Sequence, residues 1–211
     1  CSLNDMVVTI GGKVRSVEDL LSADELMHLA IEASGRERYD LAIGYLKQAY
    51  AKASAEPDET LPRAEIPFLL GAQYAQIKMF EDAKRWMREA VSLNPQFDIA
   101  VFQLGLLELL GGELAAGEQT WSGLDFLPAG HALLHFRAGL LALAREQYPL
   151  ALTELRQGLA VGLANAPLMA EMQRILSNVE AQQAQVGTTD SPSVAADSPA
   201  EAHVLLAAYR E

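Results

Sequence analysis

"PFLLGAQYAQ", Pro67–Gln76, decides how this chain is read, because the stretch returns twice. "VFQLGLLELL" starts at Val101 and "HFRAGLLALA" at His135. With the three in register, Phe68, Phe102 and Phe136 stand 34 residues apart, and so do Gly71, Gly105 and Gly139. Downstream, Ala83, Gly117 and Ala151 keep the same step. One period held at several independent columns is the signature of an internal repeat. The columns also have a physical logic. Glycine and alanine at facing positions let two antiparallel helices approach closely, and Pro95 cannot continue a helix and so closes a unit.

The period and its columns resemble the tetratricopeptide repeat (TPR). The fullest copy carries Leu70-Gly71, Tyr74, Ala83, Met87, Ala90 and Leu93-Asn94-Pro95. The next has Val101, Leu104, Gly105, Gly117 and Trp121, with Glu108 in the tyrosine column. A third has Gly139, Ala151 and Leu155 without the closing proline. An earlier copy, with Leu26, Leu29, Ala30, Ala42, Leu46 and Ala49, sits 41 residues upstream of the first full one. The extra residues are assigned to an insertion at Pro57 to Arg63. The resemblance covers Ala23 to Asn165 and implies an all-α superhelical solenoid of about four TPR-like helix-turn-helix repeats with a C-terminal capping helix.

The flanking segments fit that frame. Residues 1–22 form an N-terminal segment, strand-like where apolar runs flank Gly11-Gly12. Ser22 and Glu25 have the form of a capping box at the first repeat helix. Residues 23–185 form the solenoid, closed by a capping helix in which Leu168, Met172, Ile175, Leu176 and Val179 recur at helical spacing. Residues 186–197, rich in Ser, Thr, Asp and Ala, read as a disordered linker. Residues 198–211 read as a short amphipathic helix with Leu205, Leu206 and Tyr209 on one face. That face is expected to dock in the chain's own groove or in a neighbour's, giving autoinhibition or a homodimer.

Composition narrows the function. Half the residues are apolar and the formal net charge is −12, an acidity that disfavours nucleic acid and anionic membrane surfaces as partners. The single cysteine, Cys1, allows no intrachain disulfide. Cys1-Ser2 has the form of a mature bacterial lipoprotein N-terminus, so a lipid-anchored assembly factor of a bacterial envelope is the alternative to a cytoplasmic protein. No catalytic motif emerges, and no cofactor, small-molecule substrate or metal is expected. His131 and His135, four apart, form half of a conceivable zinc site. A metal-dependent hydrolase is therefore the less favoured alternative.

In TPR proteins the first helix of each repeat lines a concave groove. The resemblance thus implies partner-binding residues at Met27, Ile31, Phe68, Ala72, Ala75, Phe102, Leu106, Leu109, Phe136, Arg137, Leu140 and Leu143. Leu106 and Leu140, which follow glycines, are expected to pack partly between repeats. The set is apolar, with Arg137 its only cation, so it lacks the positive clamp that TPR co-chaperones close on acidic C-termini. The expected activity is non-enzymatic: a scaffold or chaperone holding an apolar helical peptide. Small acidic TPR chaperones of type III secretion translocators show a looser similarity, from which the strand-like N-terminus and long tail depart. On this reading, Phe102→Glu abolishes binding while the protein stays helical.

Overall fold

The computed structural model describes residues 7–10, 13–16, 21–55 and 64–186. Val7–Ile10 (β1) and Lys13–Ser16 (β2) pair antiparallel, with Val7 opposite Ser16 and Ile10 opposite Lys13. Every other regular element among the described residues is helical. In order they are α1 (Ala23–Gly35), α2 (Tyr39–Ala55), α3 (Glu65–Gln76), α4 (Phe80–Leu93), α5 (Asp98–Leu110), α6 (Leu114–Trp121), α7 (Ala132–Ala144), α8 (Tyr148–Val161) and α9 (Ala166–Val186). A short 3-10 turn, Ser122–Leu124, extends α6. The chain forms two compact units, Cys1–Ala100 and Val101–Glu211, whose boundary falls inside α5.

The 34-residue period is written into the backbone. Lys78, Gly112 and Glu146, each 34 residues from the next, end the first helix of their pairs in the left-handed region, with φ of 61°, 81° and 57°. Glu37, the matching residue of the first pair, has φ 58°. Immediately after each, a backbone N–H reaches back to a carbonyl five residues earlier. These are Arg38 to Ala33, Met79 to Tyr74, Glu113 to Glu108 and Gln147 to Ala142, at 2.8–2.9 Å. Such bonds satisfy carbonyls that the helix end would otherwise leave unpaired. The same turn therefore reverses the chain four times.

Within each pair the glycine column is filled by the residue 16 positions on. A methyl group at Gly71 would stand 2.8 Å from Met87 Cγ, and one at Gly139 would stand 2.9 Å from Leu155 Cγ. At Gly105 it would enter the indole ring of Trp121. Ala30 and Leu46, both buried, occupy the equivalent positions of the first pair. At its front, α1 is closed by a complete capping box: Glu25 N–H donates to Ser22 Oγ, and Ser22 N–H donates to Glu25 Oε2 at 2.8 Å. At the other end, α9 packs on α8, and its Leu168, Met172, Ile175, Leu176 and Val179 are all buried.

Candidate functional site

The implied groove residues behave differently in the two units. In the first, Ile31 is 54% exposed, and Met27, Phe68, Ala72 and Ala75 are half-buried. Phe68 rests against Phe97, ring centroids 5.0 Å apart. In the second unit, Phe102, Leu106, Phe136 and Leu140 have no exposed surface, and Leu109 and Leu143 are buried too.

These six side chains do not line an open groove; they are core. The Phe102 ring stacks on Trp121 at 5.6 Å and meets Phe136 at 6.3 Å. Trp121 Nε1 donates to the Phe102 carbonyl at 2.9 Å, so the largest side chain of the unit is satisfied inside it. The cause is legible in α5, where nearly every position from Ile99 to Leu110 is apolar. A helix apolar all round has no wet face to offer and becomes buried. Arg137 is also committed: Nη1 donates to Asp125 Oδ1 at 2.7 Å and to the Trp121 carbonyl at 2.9 Å. It fastens the α6 end to α7.

The histidine pair is split in the same way. His131 is the N-cap of α7, its Nδ1 accepting from Leu133 N–H at 3.3 Å. His135 Nδ1 lies 2.8 Å from Glu154 Oε2 on α8. Each ring is engaged in a different local contact, and among the described residues no group of three or more His, Cys, Asp or Glu is placed to hold a metal ion.

Among the described residues, the first unit has a cleft of about 130 Å³. Ala30, Ile31 and Ser34 of α1, Leu46 of α2, and Leu69 and Gln73 of α3 line it. The first helices of two successive pairs thus supply its walls and a second helix supplies its floor. The lining contains no acid, base or thiol, so the cleft can bind but has no proton-transfer group of its own. Gln73 is 7% exposed, and its Oε1 has no hydrogen-bond partner. An unmet buried acceptor costs about 1–3 kcal/mol.

The neighbouring surface is held by polar contacts that stay away from the cleft. Tyr50 donates to Glu89 Oε1 at 2.7 Å and meets Trp86 edge-on at 5.2 Å. Burial, reinforced by the Glu89 carboxylate that accepts its proton, pushes the Tyr50 hydroxyl above the usual tyrosine range.

No family model matches this chain, and no curated protein matches it in sequence. Among solved structures it is similar to MamA, residues 41 to the end, from Desulfovibrio magneticus RS-1. The match has a TM-score of 0.55 at 14% identity and spans 79% of this chain and 88% of that one. The fold is TPR-like. At that identity the likeness extends to the fold alone. Within a TPR-like frame, Ile31 and Gln73 sit on first helices and both line the cleft of the first unit. Sequence reading singled out Ile31 but missed Gln73. The available signal was a glutamine inside the otherwise apolar "FLLGAQYA".

Leu205, Leu206 and Tyr209, with the linker after Val186, Cys1 and the insertion at Pro57 to Arg63 up to its last residue, lie outside the described residues. No described helix is long and apolar enough to cross a membrane.

Proposed function

We propose that this chain is a non-enzymatic protein-interaction scaffold that holds an apolar peptide segment at the cleft between α1, α2 and α3. The observation that carries the reading is Ile31, a large aliphatic side chain 54% exposed on the rim of a concave apolar site. Covering such a side chain gains about 1.5–3 kcal/mol, enough to anchor a peptide. The TPR-like fold supports the same class of function, since it is assembled from helix pairs that present side chains on a surface rather than around a reaction centre. The engaged states of His131 and His135 count against the hydrolase alternative.

The reading is tested by selecting binders from a library of apolar peptides displayed against the full chain. The affinity of a selected peptide is then compared between the wild type and Ile31→Glu. We expect at least a tenfold loss in the variant, with unchanged far-UV circular dichroism and melting. Binders indifferent to Ile31→Glu would place the interaction surface elsewhere and overturn the assignment.

A further inference from the structure

We infer that the segment held at the α1–α2–α3 cleft carries a lysine or arginine within about 10 Å of the aliphatic side chain that it buries; this rests on the reading of the cleft as the binding site. Each leading helix that walls the cleft has a carboxylate on its lining face. Asp24 precedes Ile31 by seven residues and Glu65 precedes Leu69 by four, spacings that return to the same face of a helix. At about 1.5 Å per residue, the acids lie about 10 Å and about 6 Å along their helices from those lining residues. Both are exposed. In all, α1 and α3 contain the carboxylates of Asp24, Glu25, Glu32 and Glu65 and no lysine or arginine.

The helix dipole favours an acid in any first turn, so a helix start alone does not make a site. The difference lies in pairing. On the second helices of the first unit, the first-turn acids have basic partners: Asp40 meets Arg38, Glu81 meets Lys84 and Asp82 meets Arg85, at 2.8–3.5 Å. On α1, Ser22 holds Glu25 in the capping box, and Glu32 meets Arg36. Asp24 and Glu65, the two in line with the cleft lining, have no side-chain partner among the described residues. Two unpaired carboxylates beside the uncovered Ile31, in a chain of net charge −12, attract a cation and repel an anion. Past the opposite ends of the same two helices stand Arg36, Glu37, Arg38 and Lys78, a net positive group. Charge therefore also gives the occupant a direction, with its cationic residue toward the N-terminal ends of the walls.

The probes are the blocked peptides acetyl-KAALAA-amide and acetyl-AALAAK-amide, each with one leucine and a lysine on one side of it, and their glutamate counterparts. They are titrated into the full chain at low ionic strength, and the Ile31 and Leu69 methyl signals are followed by NMR. The better lysine peptide should bind about fivefold more tightly than its glutamate counterpart, the effect of exposed ion pairs made instead of opposed. The advantage should shrink in molar salt. Asp24→Asn/Glu65→Gln should remove the discrimination. Asp82→Asn/Glu146→Gln, which removes the same charge from α4 and from the second unit, should keep it; circular dichroism checks that both variants are folded. Discrimination kept in the first variant, or lost equally in both, assigns it to the chain's general charge and overturns the inference. A glutamate peptide that binds as well as its lysine counterpart also overturns it. So does silence from all four probes where an apolar peptide selected against the chain still shifts Ile31; in both cases the cleft stands as the site. No shift at Ile31 or Leu69 with any of these ligands removes both the inference and the reading beneath it.

Discussion

The two units use one repeat to opposite ends. In the first, the leading helices α1 and α3 keep part of their apolar surface uncovered: Ile31 is mostly in solvent, and Met27, Phe68 and Ala72 are half-buried. In the second, the same columns hold Phe102, Leu106, Phe136 and Leu140, and none has any exposed surface. The turns are the same and so is the helix pairing. What differs is the composition of the surrounding face. A repeat therefore fixes which positions meet the partner helix, and leaves open which of the rest meet water.

The sharpest way to break this comparison is to put the same charge into both units. Phe102→Glu places a carboxylate where the structure has no solvent, against Trp121 and Phe136. We expect it to destabilise its unit by about 4 kcal/mol or more. Ile31→Glu should change stability by less than about 0.5 kcal/mol, because its site is already wet. Urea denaturation followed by circular dichroism measures both. This reverses the sequence-based expectation that Phe102→Glu leaves the helices intact and removes only binding. A folded Phe102→Glu protein would show that the second unit has an open face after all.

The glycine column offers a second contrast. Adding a methyl group at Gly105 drives it into the rigid indole of Trp121, which is itself held by its bond to the Phe102 carbonyl. At Gly71 the obstacles are Met87 Cγ at 2.8 Å, on a chain more flexible than an indole, and the Ala83 backbone carbonyl at 3.1 Å. Replacing a helical glycine by alanine is worth about 1 kcal/mol in propensity. We expect overpacking to outweigh this at both, leaving Gly105→Ala less stable by about 2 kcal/mol and Gly71→Ala by about 1 kcal/mol. The difference between their melting temperatures reads the rigidity of the partner, not the size of the glycine's niche.

The repeat was legible in sequence because its signals are local and recur. Gly71, Gly105 and Gly139 each need a small residue for a contact inside their own helix pair, and Ser22 and Glu25 cap α1 within four residues of chain. The candidate site was half legible for the opposite reason. Whether Ile31 or Leu106 stays wet depends on what covers it, and the same aliphatic column position serves either outcome. The decisive clue for the second unit lay in α5 as a whole. A run apolar on every face declares a buried helix, whereas α4, polar along one side, declares a surface one. Gln73 was missed because a single polar residue in an apolar helix ordinarily points outward, and only packing shows that this one does not.

Left-handed turn residues give a third, smaller test. Three of the four reversals place a long side chain at positive φ, and only the third has glycine, Gly112. A side chain in that conformation costs about 1 kcal/mol relative to glycine. Lys78→Gly and Glu146→Gly should each stabilise by up to about 1 kcal/mol, and Gly112→Lys should lose a similar amount. Equal and opposite shifts in the two units would show that the turn is the same device in both. A loss on Lys78→Gly would mean that the side chain itself supports the first unit.

The smallest effect belongs to the capping box at the start of α1. The Ser22 backbone N–H, and then its hydroxyl, donate to the Glu25 carboxylate and hold it below the usual glutamate range. The backbone N–H of Leu41 does the same for Asp40 at the start of α2. A lowered folded pKa means that the charged form is favoured by folding. The contribution is therefore fully present above the ordinary carboxylate range and is lost as pH falls through the lowered value. Ser22→Ala should cost about 0.5–1 kcal/mol at neutral pH, and Glu25→Gln, which cannot titrate, should flatten part of the acid limb of the stability curve. No described helix of the second unit opens on a serine–glutamate box of this kind; α7 opens on His131. Acid should therefore loosen the start of α1, and amide exchange at Glu25 and Leu26 compared with Leu150 and Ala151 at the start of α8, whose N-cap Gln147 makes no side-chain bond, measures it. Exchange that accelerates equally at both starts as pH falls would assign the acid sensitivity to the chain's general charge instead of to this box.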